Sequence, residues 1–186
     1  MLRLILIFAF LIVNLSQLSL AKIASVIGNP NTEEIYFEVN KDTRNYPASL
    51  TKIMTLYIIF DEINLGKINL NDQIKFSKYA TLQQPSKLNI DINDSITLDE
   101  AINALIVKSA NDVAVAVAEK ISGSEKKFVK KMNNYANSLK LNNTNFATTH
   151  DLPNKSNLLS AYDIFLFSSK LLRNYPESQF SFKKIK

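Results

Sequence analysis

Ser49 and Lys52 stand three residues apart at the start of a segment with helical periodicity. This i, i+3 spacing puts the serine hydroxyl and the lysine amine on one face of a helix. A serine at a helix N-terminus also lies beside backbone N–H groups that can stabilise a developing negative charge. A buried lysine with a lowered pKa could act as the base that activates this serine. The pair therefore predicts nucleophilic catalysis.

The Ser-x-x-Lys pattern is weak when taken alone, because it occurs four times in the chain. What distinguishes this copy is a later Ser-x-Asn, which occurs once, as Ser109-Ala110-Asn111. Ser-x-x-Lys, Ser-x-Asn and Lys-Thr-Gly together form the signature of penicillin-recognising serine enzymes. The tripeptide by itself is either an ordinary connection between two helices or a pair of site residues held on a rigid frame.

The elements that must position these residues are a β-hairpin and several helices. Residues 23–28 and 34–39 are rich in β-branched and aromatic residues, and turn formers separate them, so they predict the hairpin. Pro47-Ala48 then opens a helix that fades by Gly66. Its apolar residues are expected to share one face, namely Leu50, Ile53, Met54, Tyr57 and Ile58.

Further helices are predicted on either side of the Ser-x-Asn motif. Thr97 and Glu100 form a capping box that starts the helix before it. A second helix runs from about 111 to 121 and stops at Gly123, and a third spans roughly 124–139. A last helix begins near Ser160 and ends before residues 175–176. Segment 67–96 is expected to form loops and small strands, and segment 141–157 is polar and irregular.

The N-terminus predicts export from the cytoplasm. A basic residue, Arg3, precedes an uninterrupted apolar run from Leu4 to Val13, and small residues precede a cleavage position after Ala21. The run is about half the length that a bilayer-spanning helix needs. We therefore expect a signal peptide over residues 1–21 and a mature chain over residues 22–186, with an uncleaved anchor as the alternative.

Composition excludes several function classes. The chain has no cysteine and one histidine, His150, so thiol catalysis, zinc fingers and HExxH metal sites cannot be built. Its three glycines cannot form a glycine-rich phosphate-binding motif. The net charge is +5, but only three of the 22 basic residues are arginine, which argues against a nucleic-acid partner. A metal site is not expected.

The segment from Pro47 to Thr55 resembles the active-site segment of the serine D-alanyl-D-alanine carboxypeptidases, the low-molecular-mass penicillin-binding proteins. The resemblance continues at many points over nearly all of residues 23–186. These points are Asp94-Ser95-Ile96-Thr97, Ser109-Ala110-Asn111-Asp112-Val113-Ala114, Ala118-Glu119, Gly123-Ser124-Glu125, Phe128-Val129, Met132-Asn133, Asn143-Thr144-Asn145-Phe146 and His150.

The resemblance implies an activity and a role for each site residue. Ser49 would attack the carbonyl of the penultimate D-alanine in a peptidoglycan stem peptide, and Lys52 would take its proton. Ser109 would relay a proton to the leaving D-alanine, while Asn111 would hydrogen-bond the substrate amide. β-Lactams would acylate the same serine, and no metal or organic cofactor is implied. The implied location is the periplasm or the outer face of the cytoplasmic membrane, with inner-membrane association.

The implied fold class is α/β, or α+β, of the DD-peptidase and β-lactamase type, with five antiparallel strands flanked by helices. This sequence departs from the family's sequence pattern in two places. No glycine is preceded by Lys-Thr or Lys-Ser, and His150 is followed by Asp151 where the family usually has glycine. We therefore expect an incomplete fold, an N-terminal β-hairpin plus a helical subdomain, truncated before the Lys-Thr-Gly motif and without the C-terminal strands, β-domain and anchor helix.

Other readings remain as alternatives. The chain could be a catalytically dead fragment, or half of a split enzyme that needs a separate C-terminal chain. A class A β-lactamase would carry Glu-x-x-Leu-Asn after Asn111, and no such segment occurs. A Ser-His-Asp hydrolase that used His150 and Asp151 would need a Gly-x-Ser-x-Gly elbow, which the three glycines cannot form. His150 is expected to be structural.

Overall fold

The structure, a computed structural model, describes residues 23–150, 152 and 154–176. The predicted signal peptide over residues 1–21 lies outside these ranges. Within them, every helix is too short or too polar to cross a bilayer.

The predicted β-hairpin is confirmed. Strand β1 (Ser25–Gly28) pairs with strand β2 (Ile35–Val39) in antiparallel fashion. Gly28 is required where the hairpin turns, because a Cβ atom there would lie 2.5 Å from the Glu34 carbonyl oxygen and 2.8 Å from the Phe165 ring. The glycine therefore allows both the tight turn and the close approach of the last helix.

A 3₁₀ turn (Ala48–Leu50) leads directly into helix α1 (Thr51–Asn64), so the helix predicted to carry the Ser-x-x-Lys motif is present. The expectation of a single apolar face is wrong. Leu50 is 43% exposed, whereas ten of the 14 helix residues are buried, including Ile59 and Phe60. A helix that is buried around most of its circumference lies inside the core rather than on its surface.

Segment 67–96 forms loops and small strands as predicted. Strand β3 (Gln73–Lys75) pairs in antiparallel fashion with strand β4 (Ser95–Thr97). One short helix, α2 (Lys78–Thr81), was not expected. It begins where the Ser77 hydroxyl accepts a hydrogen bond from the Ala80 backbone N–H at 3.1 Å, which is an ordinary N-cap.

Three of the four later helices begin at a residue whose side chain caps the helix. The Thr97–Glu100 capping box is formed, and the hydroxyls of Ser124 and Ser160 accept backbone N–H bonds at the starts of their helices. Gly123 has a φ of +76°, which suits its place at a helix C-terminus. These helices are α3 (Leu98–Val107), α4 (Asn111–Ser122), α5 (Glu125–Ser138) and α6 (Ala161–Asn174).

Helix α4 forms the centre of the core. All side chains from Val113 to Ala118 are fully buried, and the helix packs against α1, α2, α3, α5 and β3. Helix α6 packs against α1 and against β1. The N-termini of α1 and α4, which carry the two sequence motifs, thus belong to one packed unit.

Candidate active site

Ser49 lies in the 3₁₀ turn immediately before α1, and its side chain is exposed. The preceding residue, Ala48, has a φ of +46°, a left-handed conformation that costs an alanine free energy. Such backbone conformations persist only where the surrounding structure enforces them, and they are concentrated at functional sites. The turn thus presents the Ser49 hydroxyl to solvent at the amino end of a buried helix.

Lys52 is the second residue of α1 and is only 2% exposed. The 3₁₀ turn continues directly into the helix, so Ser49 and Lys52 lie about one turn apart on the same face. The structure therefore brings the two predicted residues together, with the serine outside and the lysine inside. The burial that the sequence argument assumed for the lysine is present.

The first turn of α1 is anchored by a residue that sequence reasoning missed. Asn157 donates a hydrogen bond from Nδ2 to the Thr51 hydroxyl at 2.9 Å, and both residues are buried. Its Oδ1 accepts from the Ala147 backbone N–H at 3.2 Å. The polar character of segment 141–157 was visible in the sequence, but a contact with a residue 106 positions earlier was not.

Ser109 and Asn111 lie at the junction between α3 and α4. Ser109 has a φ of +55°, and among the residues that the structure describes its buried hydroxyl is one of those without a hydrogen-bond partner. Asn111 is fully buried at the first position of α4. The junction therefore combines a left-handed serine, whose hydroxyl is buried, with a fully buried asparagine.

The segment from Gln84 to Asn89 packs over the Ser-x-Asn motif. The sequence analysis did not predict this contact. Asn111 donates from Nδ2 to the Gln84 carbonyl at 3.1 Å and from its backbone N–H to the Ser86 carbonyl at 2.7 Å. The Ser86 hydroxyl donates to the Lys108 carbonyl at 2.7 Å. These bonds hold the loop against both ends of the motif.

His150 lies in a separate polar cluster with Glu125. Its Nε2 is 3.6 Å from the Glu125 carboxylate, which also accepts hydrogen bonds from the backbone N–H and hydroxyl of Thr149 and from the Tyr79 hydroxyl. Burial acts to raise the pKa of Glu125, but the hydrogen bonds from Thr149 and Tyr79 outweigh it and hold the pKa below its usual value. These contacts agree with a structural role for His150. Asp151 lies outside the described residues.

Across residues 23–150, 152 and 154–176, no group of three or more His, Cys, Asp or Glu side chains could hold a metal ion. The arrangement of the exposed Ser49, the buried Lys52 and the buried hydroxyl of Ser109 is one that can support acyl transfer through a serine nucleophile.

Comparison with known proteins identifies the family. The family model described as D-alanyl-D-alanine carboxypeptidase matches residues 13–186. The chain belongs to the D-alanyl-D-alanine carboxypeptidase family. This membership confirms the resemblance seen in the sequence.

Individual relatives of this carboxypeptidase family agree with that assignment. The chain is 35% identical over 158 residues to D-alanyl-D-alanine carboxypeptidase DacF of Bacillus subtilis, which covers 85% of this chain and 41% of that relative. It is 36% identical over 171 residues to DacA of Haemophilus influenzae, covering 87% of this chain and 44% of the relative. The chain thus spans less than half the length of these relatives.

Solved carboxypeptidase structures share the fold. The crystal structure of DacD from Francisella tularensis superposes with a TM-score of 0.84 at 33% identity, over 89% of this chain and 40% of that one. This likeness confirms the expected DD-peptidase fold class. The two small antiparallel sheets of this chain agree with an incomplete version of that fold.

Proposed function

We propose that this chain carries the acylating half of a serine D-alanyl-D-alanine carboxypeptidase. The observation that carries the proposal is the exposed Ser49 one helical turn before the buried Lys52, in a member of this family. The substrate is the D-Ala-D-Ala end of a peptidoglycan stem peptide. β-Lactams react at the same serine, because they present an acylating carbonyl to it.

The proposed chemistry proceeds in two steps. Lys52 takes the proton of the Ser49 hydroxyl as its oxygen attacks the carbonyl of the penultimate D-alanine. Ser109 relays a proton to the nitrogen of the departing D-alanine as the peptide bond breaks, which leaves an ester on Ser49. Asn111 hydrogen-bonds the substrate amide throughout. Water then hydrolyses the ester and regenerates the serine, and no metal or organic cofactor enters either step.

The cellular setting follows from the same assignment. We propose that residues 1–21 direct export and that the mature chain, residues 22–186, acts in the periplasm or at the outer face of the cytoplasmic membrane. Peptidoglycan lies there, so cell-wall biogenesis and cell shape are the processes that the activity would serve. Inner-membrane association belongs to this proposal as well.

A second candidate is that this chain is the N-terminal part of the catalytic domain and acts only with a separate C-terminal chain, or is a catalytically dead fragment. The supporting observation is the exposed apolar pair formed by Ile27 and Phe37, which face each other across β1 and β2 and are 58% and 53% exposed. An uncovered apolar hairpin is a docking surface or an association hazard.

The proposal is tested by measuring release of D-alanine from a stem pentapeptide by the purified chain. We expect release that Ser49→Ala abolishes and that Asn111→Ala reduces by about tenfold, the effect of losing one hydrogen bond to the substrate. Absence of release by the unmodified chain would contradict independent carboxypeptidase activity. Release restored by a chain that supplies a Lys-Thr-Gly strand would favour the split enzyme.

A further inference from the structure

Asp112 is a fully buried carboxylate that has no part in the proposed chemistry. It follows Asn111 directly, in the first turn of α4. Burying a carboxylate is unfavourable unless hydrogen bonds replace its hydration, so its partners show what it is there to hold.

Those partners belong to the loop over the Ser-x-Asn motif. The Leu88 backbone N–H lies 3.1 Å and 3.0 Å from the two carboxylate oxygens, and the Asn89 N–H donates to one of them at 3.0 Å. The Val113 backbone N–H donates to the carboxylate at 2.9 Å. Bonds from backbone N–H groups to a carboxylate are charge-assisted and stronger than neutral ones. Asp112 thus ties the loop to the helix start.

The same loop also determines how Asn111 is oriented. The Gln84 carbonyl accepts from the Asn111 side-chain amide, and the Ser86 carbonyl accepts from its backbone N–H. Asp112 therefore binds the Leu88–Asn89 end of the loop, while the two carbonyls that bind Asn111 lie toward its other end. Releasing the Leu88 end would loosen the carbonyls that fix the Asn111 amide.

We infer that Asp112 is a positioning residue that acts through the Gln84–Asn89 loop to hold the Asn111 side chain in its substrate-binding orientation. The inference rests on the proposed function only for the role of Asn111 toward substrate. The loop linkage stands on the contacts themselves. Asparagine cannot replace Asp112 in this arrangement, because its amide would direct an N–H group at a backbone N–H group.

The test compares the unmodified chain with Asp112→Asn by residue-resolved amide hydrogen exchange and by the kinetics of penicillin binding. We expect the amides of Leu88, Asn89 and Asn111 to exchange at least about tenfold faster in the variant. We expect the dissociation constant of the noncovalent penicillin complex to rise about tenfold, while the acylation rate constant changes by less than about twofold. The acylation step is spared because Ser49 lies in the 3₁₀ turn before α1 and Lys52 lies on α1, away from the loop that Asp112 holds.

The matched control is Asp163→Asn. Asp163 is equally buried, at 1% exposure, and ties a different loop by accepting from the Asn143 N–H and the Thr144 hydroxyl, both at 2.7 Å. This control is expected to speed exchange at Asn143 and to leave Asn111 exchange and penicillin affinity unchanged.

Two results would overturn the inference: unchanged exchange at Asn111 in Asp112→Asn, or equal losses of penicillin affinity in both variants. If the unmodified chain takes up no penicillin, the proposed function fails, and exchange at Asn111 still decides whether Asp112 positions that residue.

Discussion

Lys52 is 2% exposed and follows the exposed Ser49 by about one helical turn. Taking an amine out of water costs stability, so a buried lysine beside a serine points to a chemical role. Removing the amine separates its effect on the acylation rate from its effect on stability. Lys52→Met retains most of the aliphatic volume but cannot accept a proton. We expect it to slow acylation of Ser49 by penicillin by about 10²–10⁴-fold, the usual contribution of a general base, and to leave the melting temperature unchanged or higher.

This expectation is checked by stopped-flow acylation and thermal unfolding of the same preparations. Lys67→Met is the matched control, because Lys67 is exposed and far along the chain from the motif. It should change neither quantity. Acylation of Lys52→Met at nearly the rate of the unmodified chain would remove Lys52 from the base role.

Glu125 makes stability depend on pH. Its folded-state pKa lies below the ordinary value of 4.5, because hydrogen bonds from Thr149 and Tyr79 outweigh the opposing effect of burial. A carboxyl whose pKa is lowered by folding contributes stability above its unfolded pKa and loses that contribution as the pH falls through its folded pKa. The Glu125 contribution is therefore complete near neutral pH and disappears in acid.

We expect Glu125→Gln to lower the free energy of unfolding at pH 7 by about 1–3 kcal/mol, the cost of weakening hydrogen bonds to a buried charged group. The difference from the unmodified chain should shrink as the pH is lowered below about 4.5, where the carboxyl becomes protonated. Urea unfolding at several pH values measures it, with the exposed Glu34→Gln as control. A difference that stays constant down to acid pH would contradict this account.

At the scale of elements, the position of the Ser49 turn depends on the bond between Thr51 and Asn157. Thr51→Val keeps the shape of the side chain but removes the hydroxyl, and Asn157→Ala removes the donor. We expect each variant to lose about 1–2 kcal/mol of unfolding free energy, and the double variant to lose clearly less than the sum.

A double-mutant cycle in urea measures this coupling, which we expect to be about 1 kcal/mol. Penicillin acylation measured on the same four proteins should fall in both single variants, because the start of α1 would no longer be fixed. Additive losses with unaltered acylation would mean that Asn157 does not hold the site.

Local rules in the sequence predicted the elements well because they depend on neighbours a few residues apart. The Thr97–Glu100 capping box, the helix start at Ser160 and the Gly123 stop are all formed as expected. What the sequence could not supply were contacts between distant segments. The hydrogen bond from Asn157 to Thr51 joins residues 106 positions apart, and the bond from Leu88 to Asp112 joins residues 24 positions apart. No local sequence pattern predicts either contact.

The prediction that α1 buries a single face was wrong for the same reason. Its apolar residues were assigned to one face, because periodicity describes a helix packed on a single side. In the molecule, α3, α4, α5 and α6 all pack around it, and Leu50 alone of the expected face is largely exposed. The serine, lysine and Ser-x-Asn residues were identified from motif spacing, although their roles stay predictions.

At the scale of the whole molecule, the described part of the chain leaves a hairpin whose apolar residues face solvent. Ile27 and Phe37 pair across the strands and are both more than half exposed. An exposed apolar strand surface promotes association with other chains. We expect the purified chain to self-associate reversibly at micromolar concentration.

Phe37→Lys should suppress this association, because a charge on the strand opposes edge and face contacts. Sedimentation velocity measures it. Leu82→Lys is the matched control, since Leu82 is 65% exposed but stands away from the hairpin, and it should leave association unchanged. Equal suppression by both substitutions would assign the effect to net charge rather than to the hairpin surface.

The proposed function requires that Ser49 and Lys52 form a working nucleophile within this chain. Intact-mass spectrometry of the folded protein after exposure to a fluorescent penicillin shows whether this serine is acylated, with Ser49→Ala as control. We expect one covalent penicillin on the unmodified chain and none on the variant. Unmodified protein that is soluble, folded and still at its original mass would contradict the claim.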